Sequence, residues 1–146
     1  MSRTAVIDTP RPLDEQVQSL ILPILSEAVP AGFPSPAQHA APDCIDIVSE
    51  LIDDRTATFC ARVIGDSMTG EGIHEDDLLI IDRSRKPYDG CIAICSIDGD
   101  YTVKRLKITV DGIFLQPANR RHKPIPVCSL LDFVIWGVVT HVLHKV

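Results

Sequence analysis

The spacing of apolar residues changes character near residue 56. From there onward, short runs rich in β-branched and apolar residues alternate with clusters of Gly, Asp, Pro and Ser, a pattern of strands and turns. Strands are predicted near 57–64, 78–82, 91–97, 101–108, 112–116 and 133–143. Asp98-Gly99 and Asp111-Gly112 each sit between two such runs, and Asp-Gly is a strong hairpin signal because type I′ turns need positive φ. The middle of the chain therefore reads as an antiparallel meander. The expected class is mainly β, in a distorted, barrel-like arrangement, with no internal repeat, phosphate-binding glycine loop or heptad pattern.

Ahead of this region the pattern is different. Pro10, Pro12, Pro23, Pro30, Pro34, Pro36 and Pro42 crowd the first 45 residues, so regular structure there must be short. Gln16 to Val29 has the spacing of a brief amphipathic helix that Pro23 would kink or stop. Pro30 to Pro36 should be extended, since each residue before a proline is pushed out of the helical region. The expected organisation is a flexible arm over 1–45, holding at most one short helix, and a β-rich domain over 46–146.

Composition narrows the function classes. With 146 residues the chain has room for one core plus a tail, and 45% hydrophobic with 23% charged residues suits a globular domain. A net charge of −6 repels phosphate backbone, so direct DNA binding is disfavoured; the basic groups at Arg83–Lys86, Lys104–Lys107 and Arg120–Lys123 are short. The 5 cysteines form no CxxC pair, and Cys60, Cys91 and Cys95 lie inside apolar runs, as expected of reduced structural thiols in the cytoplasm. Cys91 and Cys95 are badly spaced for zinc on a strand and no histidine pair stands at the usual interval, so neither metal nor cofactor is expected. Leu20–Leu25 is broken by Pro23 and lacks a basic flank, and Phe133–Leu143 is too short to span a bilayer, so no membrane role is expected.

Two residues carry candidate chemistry. Period-two alternation puts Thr102, Lys104, Leu106 and Ile108 on one face of the 101–108 strand and Tyr101, Val103, Arg105 and Lys107 on the other. Lys104 thus shares an apolar face, whereas Arg105 and Lys107 can look at water. Either Lys104 snorkels to solvent, or its ammonium is desolvated, its pKa falls and it becomes a base able to take a hydroxyl proton. A hydroxyl in a suitable setting is found in Ile64-Gly65-Asp66-Ser67-Met68, where a strand meets a tight turn. There Ser67 is a candidate nucleophile, with backbone N–H groups near Asp66 and Met68 available to an oxyanion. Gly-Asp-Ser is also a common turn, and Asp66 or Ser67 could merely cap a short helix. His74 follows Ser67 among Glu71, Glu75, Asp76 and Asp77, the composition of a solvent loop, and is not taken as the base.

Four ordered blocks bring in a resemblance. Gly65-Asp66-Ser67-Met68 with Gly72-Ile73, Asp77 to Ser84, Asp98 to Leu106, and Ile135-Trp136-Gly137-Val138-Val139 resemble the corresponding segments of the LexA/UmuD family of self-cleaving serine–lysine peptidases. Ala31-Gly32-Phe33-Pro34-Ser35-Pro36-Ala37 is similar to the self-cleavage segment of the UmuD branch. The resemblance implies a domain of the LexA C-terminal type, with Ser67 as nucleophile, Lys104 as general base and Ala31–Gly32 as the bond cut. It also implies that a RecA filament on single-stranded DNA stimulates the cut, that residues 32–146 then serve as accessory subunit of an error-prone DNA polymerase, and that the protein is a homodimer. The long apolar run Phe133–Leu143 would favour self-association if it formed an unpaired edge. A LexA-like repressor would need a DNA-reading unit ahead of the cut, for which some 30 residues with Arg3 and Arg11 as the basic ones are too few. A non-catalytic β interaction module remains the alternative from another class.

Overall fold

The computed structural model describes residues 6–7, 10–12, 18–24, 32, 43–116, 123–130 and 132–146. Its strands are β1 (Val6–Ile7), β2 (Arg11–Pro12), β3 (Ile21–Ile24), β4 (Asp43–Asp46), β5 (Thr58–Ile64), β6 (Leu78–Asp82), β7 (Ile92–Ile97), β8 (Asp100–Thr109), β9 (Gly112–Gln116), β10 (Ile125–Pro126) and β11 (Val134–Leu143). All six strands expected from the alternation after residue 56 are present to within a residue at either end. Backbone contacts divide the chain into one unit formed by Met1–Leu13 with Asp54–Val146 and another formed by Asp14–Asp53.

The larger unit is an antiparallel sheet in the order β1-β5-β6-β11-β7-β8-β9-β10, with β2 beside β5. Val6 stands opposite both Ile64 of β5 and Thr102 of β8, so the sheet curls back on itself. One such residue is not a ladder, and the arrangement is not a closed barrel. The β7–β8 hairpin forms as expected, with Asp98 at φ 51° and Gly99 at φ 84° between the paired Ile97 and Asp100. In the next hairpin Thr109 pairs with Gly112, so the turn residues are Val110 and Asp111, one position earlier than expected.

Apolar side chains fill both faces of this sheet, as alternation dictates. Val63, Met68, Ile73, Leu79, Ile81, Ile94, Val103 and Val139 belong to one buried cluster, and Cys91, Ala93, Cys95, Leu106, Leu115 and Val138 to a second. The face of β8 expected to look at water is therefore buried at Val103, which is fully inaccessible, while Lys107 is exposed. Strand β11 is bonded to β7 over Val134–Val138 and to β6 over Val138–Leu143, so it lies inside the sheet and not at its rim, with each half paired on one side.

In the smaller unit, β3 pairs with β4 from Ile21 opposite Asp46 to Ile24 opposite Asp43. Within the described part of Gln16–Val29, residues 18–24, this stands in place of the amphipathic helix expected there. Pro23 cannot donate a helical hydrogen bond, whereas on a two-stranded edge its missing N–H is harmless. The α-helix described, α1 (Ile47–Leu51), starts where Asp46 accepts bonds from the Val48 amide at 3.1 Å and the Ser49 hydroxyl at 2.8 Å.

Close packing predicts one sensitive position. A Cβ at Gly137 of β11 would lie 2.6 Å from Cγ2 of Ile81, a fully buried side chain whose branched Cβ leaves it little freedom to move aside. Gly137→Ala is expected to lower unfolding free energy by about 1–3 kcal/mol, measured as a shift in denaturant midpoint; an unchanged midpoint would show that the sheet yields there.

Candidate active site

The turn that carries Ser67 is built from the end of β5. Gly65, at φ 95°, takes the chain out of the strand in a conformation costly for other residues. The Asp66 carbonyl then accepts the Thr69 amide at 3.1 Å and the Thr69 hydroxyl at 2.6 Å, which places Ser67 at the bend. Met68 and Ile73 pin the loop into the core, and the Met68 carbonyl accepts the amides of Glu71 and Ile73. Ser67 is half-buried between the exposed Asp66 and the buried Met68. This is a strand-to-turn junction, as expected, and not a helix cap: the next element is a short 3-10 turn over Thr69–Glu71 whose N-cap is Met68.

Lys104 lies on β8 directly opposite Ala93, on the face that also bears Leu106. It is half-buried, and desolvation pulls its pKa below the ordinary lysine value. The charge acting on it is that of Cys95, but burial and the neighbouring Cys91 push the Cys95 thiol up to about 12. A thiol titrating there is neutral at physiological pH and supplies no anion to keep Lys104 protonated. Among the described residues no carboxylate is paired with Lys104.

Three features bring the Ser67 turn and the Lys104 strand to one region. Val6 faces both Ile64 and Thr102, so the end of β5 and the start of β8 lie about two strand spacings, ~10 Å, apart. Met68, next to Ser67, and Val103, which points to the face of β8 opposite to Lys104, belong to the same buried cluster. Arg105, next to Lys104, donates through Nε at 2.8 Å and Nη2 at 2.6 Å to Oε2 of Glu71 in the Ser67 loop, and through Nη1 to the Gly90 carbonyl. Arg105 is thus a tie between the two segments and not the water-facing residue that alternation suggested. Sequence reading missed Glu71 and Arg105 because nothing in their spacing shows that they meet.

His74 also differs from expectation. Its loop is not simply solvated: Asp77 is buried, accepts the His74 amide at 2.8 Å and meets Nδ1 of His144 at 2.6 Å. Burial raises the Asp77 pKa, but the His74 amide and the bond and charge of His144 outweigh it, leaving the carboxyl below its ordinary value. Of the bond expected to be cut, Ala31 lies outside the described residues, as does most of the stretch expected to be extended. Gly32 is exposed at φ 106°, in sequence between β3 and β4.

The sequence matches the family described as Peptidase S24-like over residues 23–140. It is 41% identical over 134 residues to protein SamA of Salmonella typhimurium, an alignment covering 92% of each chain. Protein ImpA of Escherichia coli is 39% identical, with 87% of this chain and 86% of ImpA aligned. The LexA repressor of Stenotrophomonas maltophilia is 37% identical over 86% of this chain and 58% of its own length.

Both Lys104 and the Arg105–Glu71 tie have measurable consequences. Because the folded pKa of Lys104 is lowered, at pH values between the folded and unfolded pKa the unfolded chain holds a proton that the folded protein has released. The destabilising effect of the buried charge is complete below the folded pKa and fades as pH rises towards the unfolded value, about 10.4. Lys104→Met is expected to raise unfolding free energy near pH 7 by about 0.5–2 kcal/mol, with the gap closing near pH 10, as read by chemical denaturation; equal stability near pH 7 would mean that the ammonium is solvated. Glu71→Ala leaves Arg105 without its carboxylate and is expected to cost about 1–3 kcal/mol, a value that a double-mutant cycle with Arg105→Ala would assign to the pair.

Proposed function

Since the chain belongs to the peptidase S24-like family, we propose that it is a UmuD-like self-cleaving serine peptidase of the DNA-damage response, cutting Ala31–Gly32 with Ser67 as nucleophile and Lys104 as base. The observation that carries this reading is the desolvated Lys104, its pKa lowered and no carboxylate beside it among the described residues. In a purely structural role such a lysine would be expected to keep an anionic partner, as the adjacent Arg105 does with Glu71.

The reaction needs no group from outside the chain except water. Neutral Nζ of Lys104 accepts the Ser67 proton as Oγ attacks the Ala31 carbonyl carbon, and the oxyanion is held by backbone N–H groups near Asp66 and Met68. The protonated lysine then gives its proton to the departing Gly32 nitrogen, leaving an acyl-enzyme. Water, deprotonated by the same lysine, releases it. A tether of 36 residues from Ala31 to Ser67 keeps the local concentration of substrate high, which supports a cut within the chain. On this reading a RecA filament on single-stranded DNA stimulates the cut in the cytoplasm. The processed homodimer, residues 32–146, then joins an error-prone polymerase for translesion synthesis. Cleavage is a switch and the output is binding.

Incubation of the purified chain at rising pH tests the chemistry. The rate at which a fragment beginning at Gly32 appears should climb as Lys104 loses its proton, at lower pH than an ordinary lysine would allow. Ser67→Ala and Lys104→Ala should each slow it by about 1,000-fold or more. A chain that stays intact at every pH, indistinguishable from Ser67→Ala, would instead identify a non-catalytic interaction module.

A further inference from the structure

The loop between β5 and β6 contains a second cluster that the peptidase chemistry does not use. Leu78 and Leu143 are paired across β6 and β11, so the residues just outside them, Asp77 and His144, face each other across one strand spacing. His74 reaches the same point from the tight turn in which its amide donates to Oδ2 of Asp77 at 2.8 Å. Nδ1 of His144 is 2.6 Å from Oδ1 of Asp77, Nδ1 of His74 is 3.8 Å from Oδ2, and one donor atom from each residue can be chosen so that all lie within 4.8 Å of one another. The two imidazole rings are 4.8 Å apart.

The geometry points to a binding site for a zinc-class divalent cation formed by His74, Asp77 and His144. In a tetrahedral zinc site, bonds of about 2.0–2.1 Å set neighbouring donors roughly 3.3 Å apart, a spacing that the distances here bracket. Asp77 is the fixed member: its side chain is 2% exposed and the His74 amide orients it, as outer contacts orient a ligand. Its ion partners among the described residues are the two imidazoles, and no lysine or arginine is among them. The side chains of His74 and His144 are 45% and 49% exposed and can adjust. Nδ1 of His74 is nonetheless buried with no hydrogen-bond partner inside the cluster. Two imidazole nitrogens and one carboxylate oxygen select zinc, nickel, cobalt or copper over magnesium and calcium, and three protein donors leave a coordination position for water. A cation there would join the segment after β11 to the loop that carries Ser67. Local spacing could not reveal it, because His144 lies 67 residues from Asp77.

Thiols are the competing ligands, and Cys44 and Cys128 are the exposed ones. The test therefore uses the full chain, reduced, with Cys44→Ser and Cys128→Ser. It is titrated with zinc against a chromophoric chelator and, separately, with cobalt(II) followed by absorption. One equivalent should bind, with cobalt bands of nitrogen and oxygen ligation and no thiolate charge transfer. His74→Ala and His144→Ala, checked for unchanged circular dichroism, should each weaken zinc binding by at least about 10- to 100-fold. Unaltered affinity in both variants, a thiolate band, or no saturable binding would each overturn the site and leave Asp77 as the acceptor of a purely structural hydrogen-bond cluster.

Discussion

The placement of everything else depends on β11 being bonded to β7 through its first half and to β6 through its second. The β5–β6 pair carries the Ser67 turn in its connection, and the β7–β8 pair carries Lys104; neither pair is laddered directly to the other on this side. Their relative register is set through β11, which bonds to β6 and to β7 and shifts register between Val139 and His141 and between Ile135 and Gly137. Bulges increase local twist, and the curled sheet brings the end of β5 to one flank of Val6 and β8 to the other. The close approach of Gly137 to Ile81 and the edge-on packing of Trp136 with Phe59 and Tyr101 lock the same strand in place.

Within that frame, two neighbouring cations on β8 meet opposite fates. Arg105 keeps its charge because Glu71 and the Gly90 carbonyl take up its donors. Lys104 faces Ala93 and a thiol that is neutral at physiological pH, so no described carboxylate offsets the cost of holding its charge out of water. The first arrangement fastens the Ser67 loop to the strand, and the second lowers the pKa of the amine. A carboxylate in place of Cys95 would stabilise the ammonium and raise its pKa. The lowered pKa of this lysine thus depends on what its neighbours lack as much as on what they supply.

The loop from Gly65 to Asp77 is held along its length by different forces. Met68 and Ile73 anchor it by apolar burial, Glu71 by its ion pair, and Asp77 by accepting from His74 and His144. Further ties run from the Val63 amide to the Asp77 carbonyl and from the Asp76 amide to the Val63 carbonyl, both 2.9 Å, the latter with Asp76 at φ 73°. Such a loop can present a half-buried hydroxyl at a defined place, which a solvated acidic turn could not.

The sequence alone determined the strands after residue 56 and one hairpin turn, because alternation and Asp-Gly chemistry are local properties. It also determined that Lys104 would share a face with Leu106. Tertiary structure decided whatever depends on which segments meet. Arg105 was placed towards water because alternation cannot tell that a sheet has two buried faces. The helix expected around Pro23 gave way to pairing with Asp43–Asp46, whose partner strand is remote in sequence. Glu71 finding Arg105, and His74 and Asp77 finding His144, arise from long-range register in a curled sheet. No local pattern encodes such meetings, since they are set by how distant strands pair and not by what stands beside each residue.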